Sequence, residues 1–451
     1  MVRDMTKGGI TRHLVAFSIP LVLGNLFQLM YNAVDSIVVG KFAGEDALAA
    51  VGTGSPVMNI IILGVTGICI GASVLMSEYF GAKDMEKLKR EIATTLLLGC
   101  GFSLIIVVLG LLCSGWILRL LDVPEEIMDM AGAYLRIIFL GMPFTFFYNA
   151  YASVMRSVGD SQTPVKFLAA ASVLNVVLDL LLVAVFRQGV VGAAAATVLS
   201  QGVSAGLCLW YVNHKLPMLR LAKSDLRLDR QMMILTVKNG SITALQQSCQ
   251  PIGKLLIQRS INSLGIAAMA VFNAVNRIDD FAFTPEQSIS HGMMTFVSQN
   301  RGAGQEERMR KGMPFGLRLE FCYWVLICAA ILILKEPLMR MFVNEEETVK
   351  IGVDYLTLMA FFYLLPAFTN GVQGFFRGMG NMTVTLISTL IQISVRVIFV
   401  FLLVPRMGIP AVAWASLIGW VCMLAAEVPY YFVYMKRWGR EHGAERQKGE
   451  Q

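Results

Sequence analysis

The sequence predicts an all-α membrane protein: twelve transmembrane helices in two six-helix lobes, related by a pseudo-two-fold axis along the membrane normal. Three observations predict it. The 451 residues are 56% hydrophobic and 15% charged, with a mean hydropathy of +0.62; soluble domains lie near about 45–50% apolar and about 25% charged. The apolar residues fall into long runs separated by short charged clusters. The chain also resembles itself after the 221-residue step that carries Gly71 onto Gly292.

A spanning helix needs about 20 mostly apolar residues. Twelve runs meet this: 14–40, 48–80, 92–118, 132–155, 167–186, 190–212, 233–258, 267–298, 315–334, 352–376, 384–404 and 410–435. The first follows "MVRDMTKGGITRH", basic and then apolar like a signal peptide. Its apolar stretch is too long for one and lacks a small-residue cleavage site, so it is expected to stay as a span. The second closes on "GASVLMSEYFGAKD", the fourth runs into "RSVGDSQTPV", and the ninth to the twelfth repeat the third to the sixth. Runs of this length are not the short alternating segments of a membrane barrel, and backbone groups in hydrocarbon must bond internally, so each run is expected to be helical.

Lys and Arg crowd one set of connections, for example Lys83, Lys87, Lys89 and Arg90, and Arg301, Arg308, Arg310 and Lys311. The opposite set holds isolated cations such as Lys41 and Arg119 and the acidic clusters "DVPEEIMD" and "NEEE". The excess of cations marks the cytoplasmic side, so both termini are expected in the cytoplasm of a multi-pass protein of the cell (inner) membrane. The repeat aligns "YLRIIFLGMP" (134–143) with "YLTLMAFFYL" (355–364) and "RSVGDSQTPV" (156–165) with "RGMGNMTVTL" (377–386). Two halves of equal orientation follow: an N-terminal lobe over 1–212, a polar basic linker over 213–231, a C-terminal lobe over 232–440 and a polar tail over 441–451.

The net charge of +7 is spread between spans rather than along one face, so no nucleic-acid partner is expected. The eight cysteines lie within apolar runs without a C-x-x-C, the four histidines are scattered, and no phosphate-binding loop or nucleophile elbow occurs. No enzyme, no cofactor and no firm metal site are expected.

The informative residues are polar groups inside the spans. Asn25, Gln28, Asn32 and Asp35 are spaced by three, four and three, on one face of the first helix, with Tyr31 on its flank. An ionised side chain in hydrocarbon costs at least about 2.5–3.5 kcal/mol, so this face should meet the lobe interior or a wet cavity. On the fifth helix Asn175 and Asp179 share a face. Asp35, Asp179 and Thr197 lie at similar depths, about 9, 12 and 10 Å from the outer ends of their spans at 1.5 Å per residue. They are expected to meet in a cavity of the N-terminal lobe. Two carboxylates in a desolvated pocket do not both ionise easily, which suits a site that exchanges a proton. Asp35, Asn175, Asp179 and Thr197 would equally offer all-oxygen ligands to Na⁺.

The C-terminal lobe departs from this pattern. Leu256, Arg396 and Val400 stand where Asp35, Asn175 and Asp179 stand in the first half. Its own intramembrane charges, Lys254, Arg277, Asp279, Asp280, Glu286, Arg396 and Glu427, read as internal ion pairs or, at Asp279 or Asp280, as a lining of the substrate path. Aromatic stretches at 143–151 and 281–283 supply Phe147, Asn149 and Phe281 as further substrate candidates, beside Gln28, Asn32 and Asp280.

Twelve helices as six plus six, "VDSIVVGKFAGEDALAAVG", "GASVLMSEYFGAKD" and "RSVGDSQTPV", in this order and spacing, resemble the multidrug and toxic compound extrusion (MATE) family over nearly the whole chain. The resemblance implies a secondary antiporter without a nucleotide site, expelling amphipathic, often cationic compounds by alternating access in exchange for H⁺ or Na⁺. It is nearest the bacterial proton-coupled branch, in which an aspartate of helix 1 and an Asn-x-x-x-Asp of helix 5 couple transport. Gln28, Tyr31, Asp35, Asn149, Asn175, Asp179 and Thr197 match that pattern. The expected partners are small amphipathic or cationic organic substrates and the lipid bilayer, with the chain working as a monomer. A flippase for lipid-linked oligosaccharides, which should have a more basic central cavity, and a membrane-embedded enzyme are the alternatives.

Overall fold

The computed structural model describes residues 2–449, apart from the side chains of Asn32, Lys223 and 441–449. It is helical throughout, with no strand among the described residues. The helices are α1 (Ile10–Phe42), α2 (Glu45–Gly81), α3 (Met85–Leu120), α4 (Glu125–Ser157), α5 (Gln162–Asp179), α6 (Gly189–Lys215), α7 (Arg230–Asn262), α8 (Ile266–Gly302), α9 (Glu306–Arg340), α10 (Glu346–Phe362), α11 (Leu364–Gly378), α12 (Met382–Met407) and α13 (Pro410–Gly449). A π-helical turn, Leu180–Val185, extends α5, and α10 and α11 form one span broken at Tyr363. The chain is thus an all-α membrane protein of twelve spanning helices. Among the described residues, ten segments are long and apolar enough to cross a membrane by length and composition alone. The other two, α7 and α8, have the length but carry Lys238, Lys254 and Arg259, and Arg277, Asp279, Asp280 and Glu286.

The sequence repeat is written into the backbone. α2 and α8 begin and end 221 residues apart, as do α4 and the α10–α11 span. The turns repeat with them. Gly44 (φ 95°) opens α2 and Gly265 (φ 93°) opens α8; Gly159 (φ 82°) follows α4 and Gly380 (φ 73°) follows α11. Left-handed backbone is costly for residues with a Cβ, and the same corner is needed in both halves. At Gly159 space also forbids a side chain, because a Cβ would lie 2.3 Å from the carbonyl oxygen of Arg3.

The chain packs as two units. Unit 1 comprises residues 1–4 and 19–244, and unit 2 comprises 5–18 and 245–451. The division differs from the expected lobes in three places, the first being that residues 5–18, the start of α1 included, belong to unit 2. The stretch 213–231 is no free linker: Leu216 and Leu219 are buried in the core of unit 1. The first half of α7 also belongs to unit 1, for a physical reason. Gly67 and Gly71 of α2 leave its backbone bare against α7, so that a Cβ on Gly67 would lie 2.5 Å from the Gly240 carbonyl oxygen. Small residues allow such backbone-to-backbone approach in membranes. Thr236 of α7 then donates to the buried carboxylate of Glu91 on α3 at 2.6 Å. Unit 2 repeats the device with the start of α1: a Cβ on Gly292, the counterpart of Gly71, would lie 2.9 Å from Ser18 Oγ.

Each unit has its own apolar core. In unit 1 Phe139 and Phe146 of α4 fill the space left by Gly110 and Gly99 of α3. In unit 2 the core gathers Phe272, Tyr355, Met359 and Tyr363. The eight cysteines are all free.

Candidate functional site

Unit 1 brings the predicted polar residues of three helices together. Asp35 and Tyr31 stand one turn apart on α1. Asn175 and Asp179 stand one turn apart on α5, 1% and 0% exposed. Thr197 faces them from α6. The Asn175 amide, oriented so that both of its ends are bonded, donates from Nδ2 to Asp179 Oδ2 at 2.8 Å and accepts the backbone N–H of Thr197 at 3.2 Å. Tyr31 and Thr197 are joined by a side-chain hydrogen bond, and the Thr197 hydroxyl donates onward to the Ala193 carbonyl at 3.1 Å.

The side chains of Asp35 and Asp179 lie within hydrogen-bonding reach of each other. Ionised carboxylates only accept, so a bond between them requires a proton held by the pair. The buried Oδ1 atoms of both residues have no other donor, as expected where the one hydrogen available is the shared one.

Two features of the site were not legible from motif matching. Tyr134 of α4 lies within electrostatic reach of both carboxyls, and Gly54 of α2 leaves room for its ring, since a Cβ there would come within 3.2 Å. Nine residues into α4, it sits at about 14 Å of depth by the helix rise, so the depth criterion applied to Asp35, Asp179 and Thr197 would have found it. The second feature is the π-turn that starts immediately after Asp179. Single π-turns insert a residue's worth of slack into a helix and recur at functional sites. Here the turn begins at the residue after Asp179, and α6 packs tightly on it: a Cβ on Gly192 would lie 3.1 Å from Leu182 Cβ.

The remaining predicted residues lead elsewhere. Gln28 is exposed; the Asn32 side chain lies outside the described residues. Asn149 donates to the Thr145 carbonyl of its own helix at 2.8 Å, and Phe147 stacks edge-to-face on Phe146 at 6.1 Å. In unit 2 Phe281 is 51% exposed and Asp280 pairs with Lys254 at 3.2 Å. Its neighbour Asp279 is buried and accepts a hydrogen bond from the Tyr363 hydroxyl at the α10–α11 break. The dense "NRIDDFAF" charges therefore divide: one ion pair, one tyrosine-bonded acid and, in Arg277, one exposed cation. Asp354 of α10 is exposed. Asp354→Asn is expected to leave efflux within about twofold of wild type, because exposed side chains away from a site change energies by about 0.5 kcal/mol or less; dye efflux at matched expression checks this.

Comparisons with known proteins agree with this architecture. The MatE family profile matches residues 20–181 and 243–402, one match in each half. The chain is 32% identical over 390 residues to the probable multidrug resistance protein YpnP of Bacillus subtilis, covering 86% of this chain and 87% of that one. It is 27% identical over 410 residues to the probable multidrug resistance protein YoeA of the same organism, covering 89% of each. Among solved structures, one described as the outward-facing conformation of a multidrug resistance MATE family transporter of the MOP superfamily superposes with a TM-score of 0.89 at 22% identity, over 96% of this chain and 98% of that one. At that identity the match speaks for the fold.

Proposed function

The chain belongs to the MatE family, whose members are transporters and not enzymes, and from that premise we propose that it is a proton-coupled antiporter expelling amphipathic, cationic organic compounds, with Asp35 and Asp179 as its coupling pair. The observation that carries this reading is the approach of the two carboxyls to within hydrogen-bonding reach, an arrangement that a shared proton stabilises.

The geometry favours a proton over Na⁺. A hard cation wants several oxygens pointing inward. Asn175 turns its NH₂ toward Asp179 and gives its oxygen to the Thr197 backbone N–H, while the Thr197 hydroxyl bonds to the Ala193 carbonyl, so neither is offered to an ion. A proton needs only the two carboxyls.

Coupling then follows from charge. With the proton in place the pair carries one negative charge, and without it two. The second charge is repelled by the first, and that repulsion is relieved either by a proton or by a cationic compound, so cargo and proton compete for one site. Loss of the proton also breaks the bond between α1 and α5. α1 carries Pro20 close to the residue at which it passes from unit 2 to unit 1, and a proline in mid-helix removes one backbone bond and permits a bend there. Protonation at Asp35 thus biases the shape of α1. The membrane is the plasma membrane, with both termini cytoplasmic on the Lys and Arg distribution, and the monomer is the working unit.

Dye efflux from cells producing the protein tests the reading. Efflux is expected to collapse on addition of a protonophore and to be indifferent to sodium. Efflux that survives the protonophore and requires sodium would move the coupling to Na⁺. Absence of efflux, with lipid-linked glycan accumulating on deletion, would favour a flippase.

A further inference from the structure

Unit 2 holds a second pair of buried acids, on other helices and at other positions than the coupling pair. Glu286 lies in α8 and Glu320 in α9, and both are 0% exposed. Each is about fifteen residues from the turn joining these helices, about 22 Å along the axis, so the two stand at equal depth. Glu286 accepts from Asn370 Nδ2 of α11 at 3.2 Å through Oε2. Its Oε1 has no donor, and neither oxygen of Glu320 has one. Glu320 is therefore a fully buried, wholly unpartnered carboxyl whose one charged neighbour is Glu286.

The surroundings contain neutral or acidic groups. Asp279, one helical stretch earlier on α8, acts on Glu286. Tyr363 at the α10–α11 break senses Glu286, and Tyr323 of α9 senses both glutamates. Tyr323 does not serve either; its hydroxyl donates to the Ala282 carbonyl at 2.8 Å, beside the carbonyl that Pro285 leaves without a helical partner. On α11, Gly371 leaves room, since a Cβ there would lie 3.6 Å from Glu320 Cγ. No Lys or Arg acts on either acid among the described residues.

The repeat shows that this pair was not inherited from the other half. The positions corresponding to Glu286 and Glu320 in unit 1 are Val65 and Gly99. There the ring of Phe146 lies directly on Gly99, whereas α11 has Ala367 at the place of Phe146. Ring volume in one half is carboxyl volume in the other. Conversely, Leu256 and Val400 replace Asp35 and Asp179. Each half carries its own acid pair where its counterpart is apolar.

Removing two carboxylates from water without a counter-cation costs several kcal/mol for each ion. A proton taken from water by one of them neutralises that acid and removes its repulsion of the other. We propose that Glu286 and Glu320 bind one proton between them as a carboxyl–carboxylate pair, forming a second proton site in unit 2, separate from Asp35 and Asp179.

Infrared difference spectroscopy of the full-length protein in detergent, stepped in pH, tests it through the carbonyl stretch of buried protonated carboxyls. Glu320→Gln and Glu286→Gln keep side-chain size, and either one carries the test if the other fails to give monodisperse protein. The expected result is that each removes the same carboxyl band, while Asp35→Asn leaves that band in place and removes a different one. Bands identical to wild type in the glutamine variants would overturn the proposal. So would a wild-type band that vanishes when sodium replaces potassium in the buffer, since the pair would then hold a metal cation.

Discussion

Asp35→Asn is expected to lower dye efflux to the level of cells lacking the protein, while the variant still inserts and purifies as a monodisperse species. The substitution keeps the hydrogen bond, because an amide NH₂ can donate to Asp179 as the shared proton does now. What it removes is the ability to give the proton up. The site is then fixed at one negative charge, and the exchange of charge for charge stops. Asp35→Glu retains the titratable group on a longer stem, and is expected to keep a measurable fraction of efflux. Full efflux by Asp35→Asn at matched expression would remove this residue from coupling. The same outcome is expected for Asp179→Asn, whose carboxyl is the other end of the bond.

Gly99→Ala is expected to cause the largest loss of stability among single-methyl additions in unit 1. A Cβ at this position would stand 1.6 Å from Cε1 of Phe146, whose ring is fully buried. The ring cannot swing into solvent, so α3 and α4 must separate. Overpacking of a tight core costs about 1–3 kcal/mol. Phe146→Ala alone should cost about 3–5 kcal/mol through the cavity it opens. The double variant should be no less stable than Phe146→Ala, because the added methyl falls into the vacated space, giving a coupling energy as large as the Gly99→Ala loss. Thermal unfolding in detergent, followed by a single-wavelength aggregation probe, measures all three. Independent, additive losses would show that α3 and α4 do not meet as described.

Much of the architecture was present in the sequence because it depends on patterns that the membrane enforces. Length and apolarity locate the spans, and the repeat locates the turns: Gly44 and Gly265 adopt the same left-handed corner because the same connection is built twice. The N-terminal site was legible for a related reason. A polar residue in a span has a depth and a face: Asp35, Asp179 and Thr197 agree in depth, and Asn175 shares its face with Asp179.

What could not be read depended on packing between distant segments. That the first half of α7 joins unit 1 rests on Gly67, Gly71 and Gly240 meeting backbone to backbone, and each of these glycines alone looks like any other in a membrane helix. Glu91 reads as flanking a span because hydropathy places the third span at 92, whereas α3 starts at Met85. An acid at the edge of an apolar run reads as a boundary marker; two turns into a helix and fully buried, it is a different object. The π-turn after Asp179 has no sequence signature at all, since "LLLVAV" suits an α-helix equally well. Phe147 and Phe281 rest on aromatic composition and Asn149 on the family resemblance as well, and neither fixes where a side chain points.

The central claim is that the acids of α1 and α5 hold one proton and surrender it to cargo. Proton release from purified protein, recorded with a pH-sensitive dye in weak buffer as a cationic substrate is added, tests it most directly. Wild-type protein is expected to release protons on binding, and Asp35→Asn and Asp179→Asn to release about one fewer per chain, as loss of one shared site requires. Undiminished release by both variants, or substrate binding by wild type with no release, would contradict it.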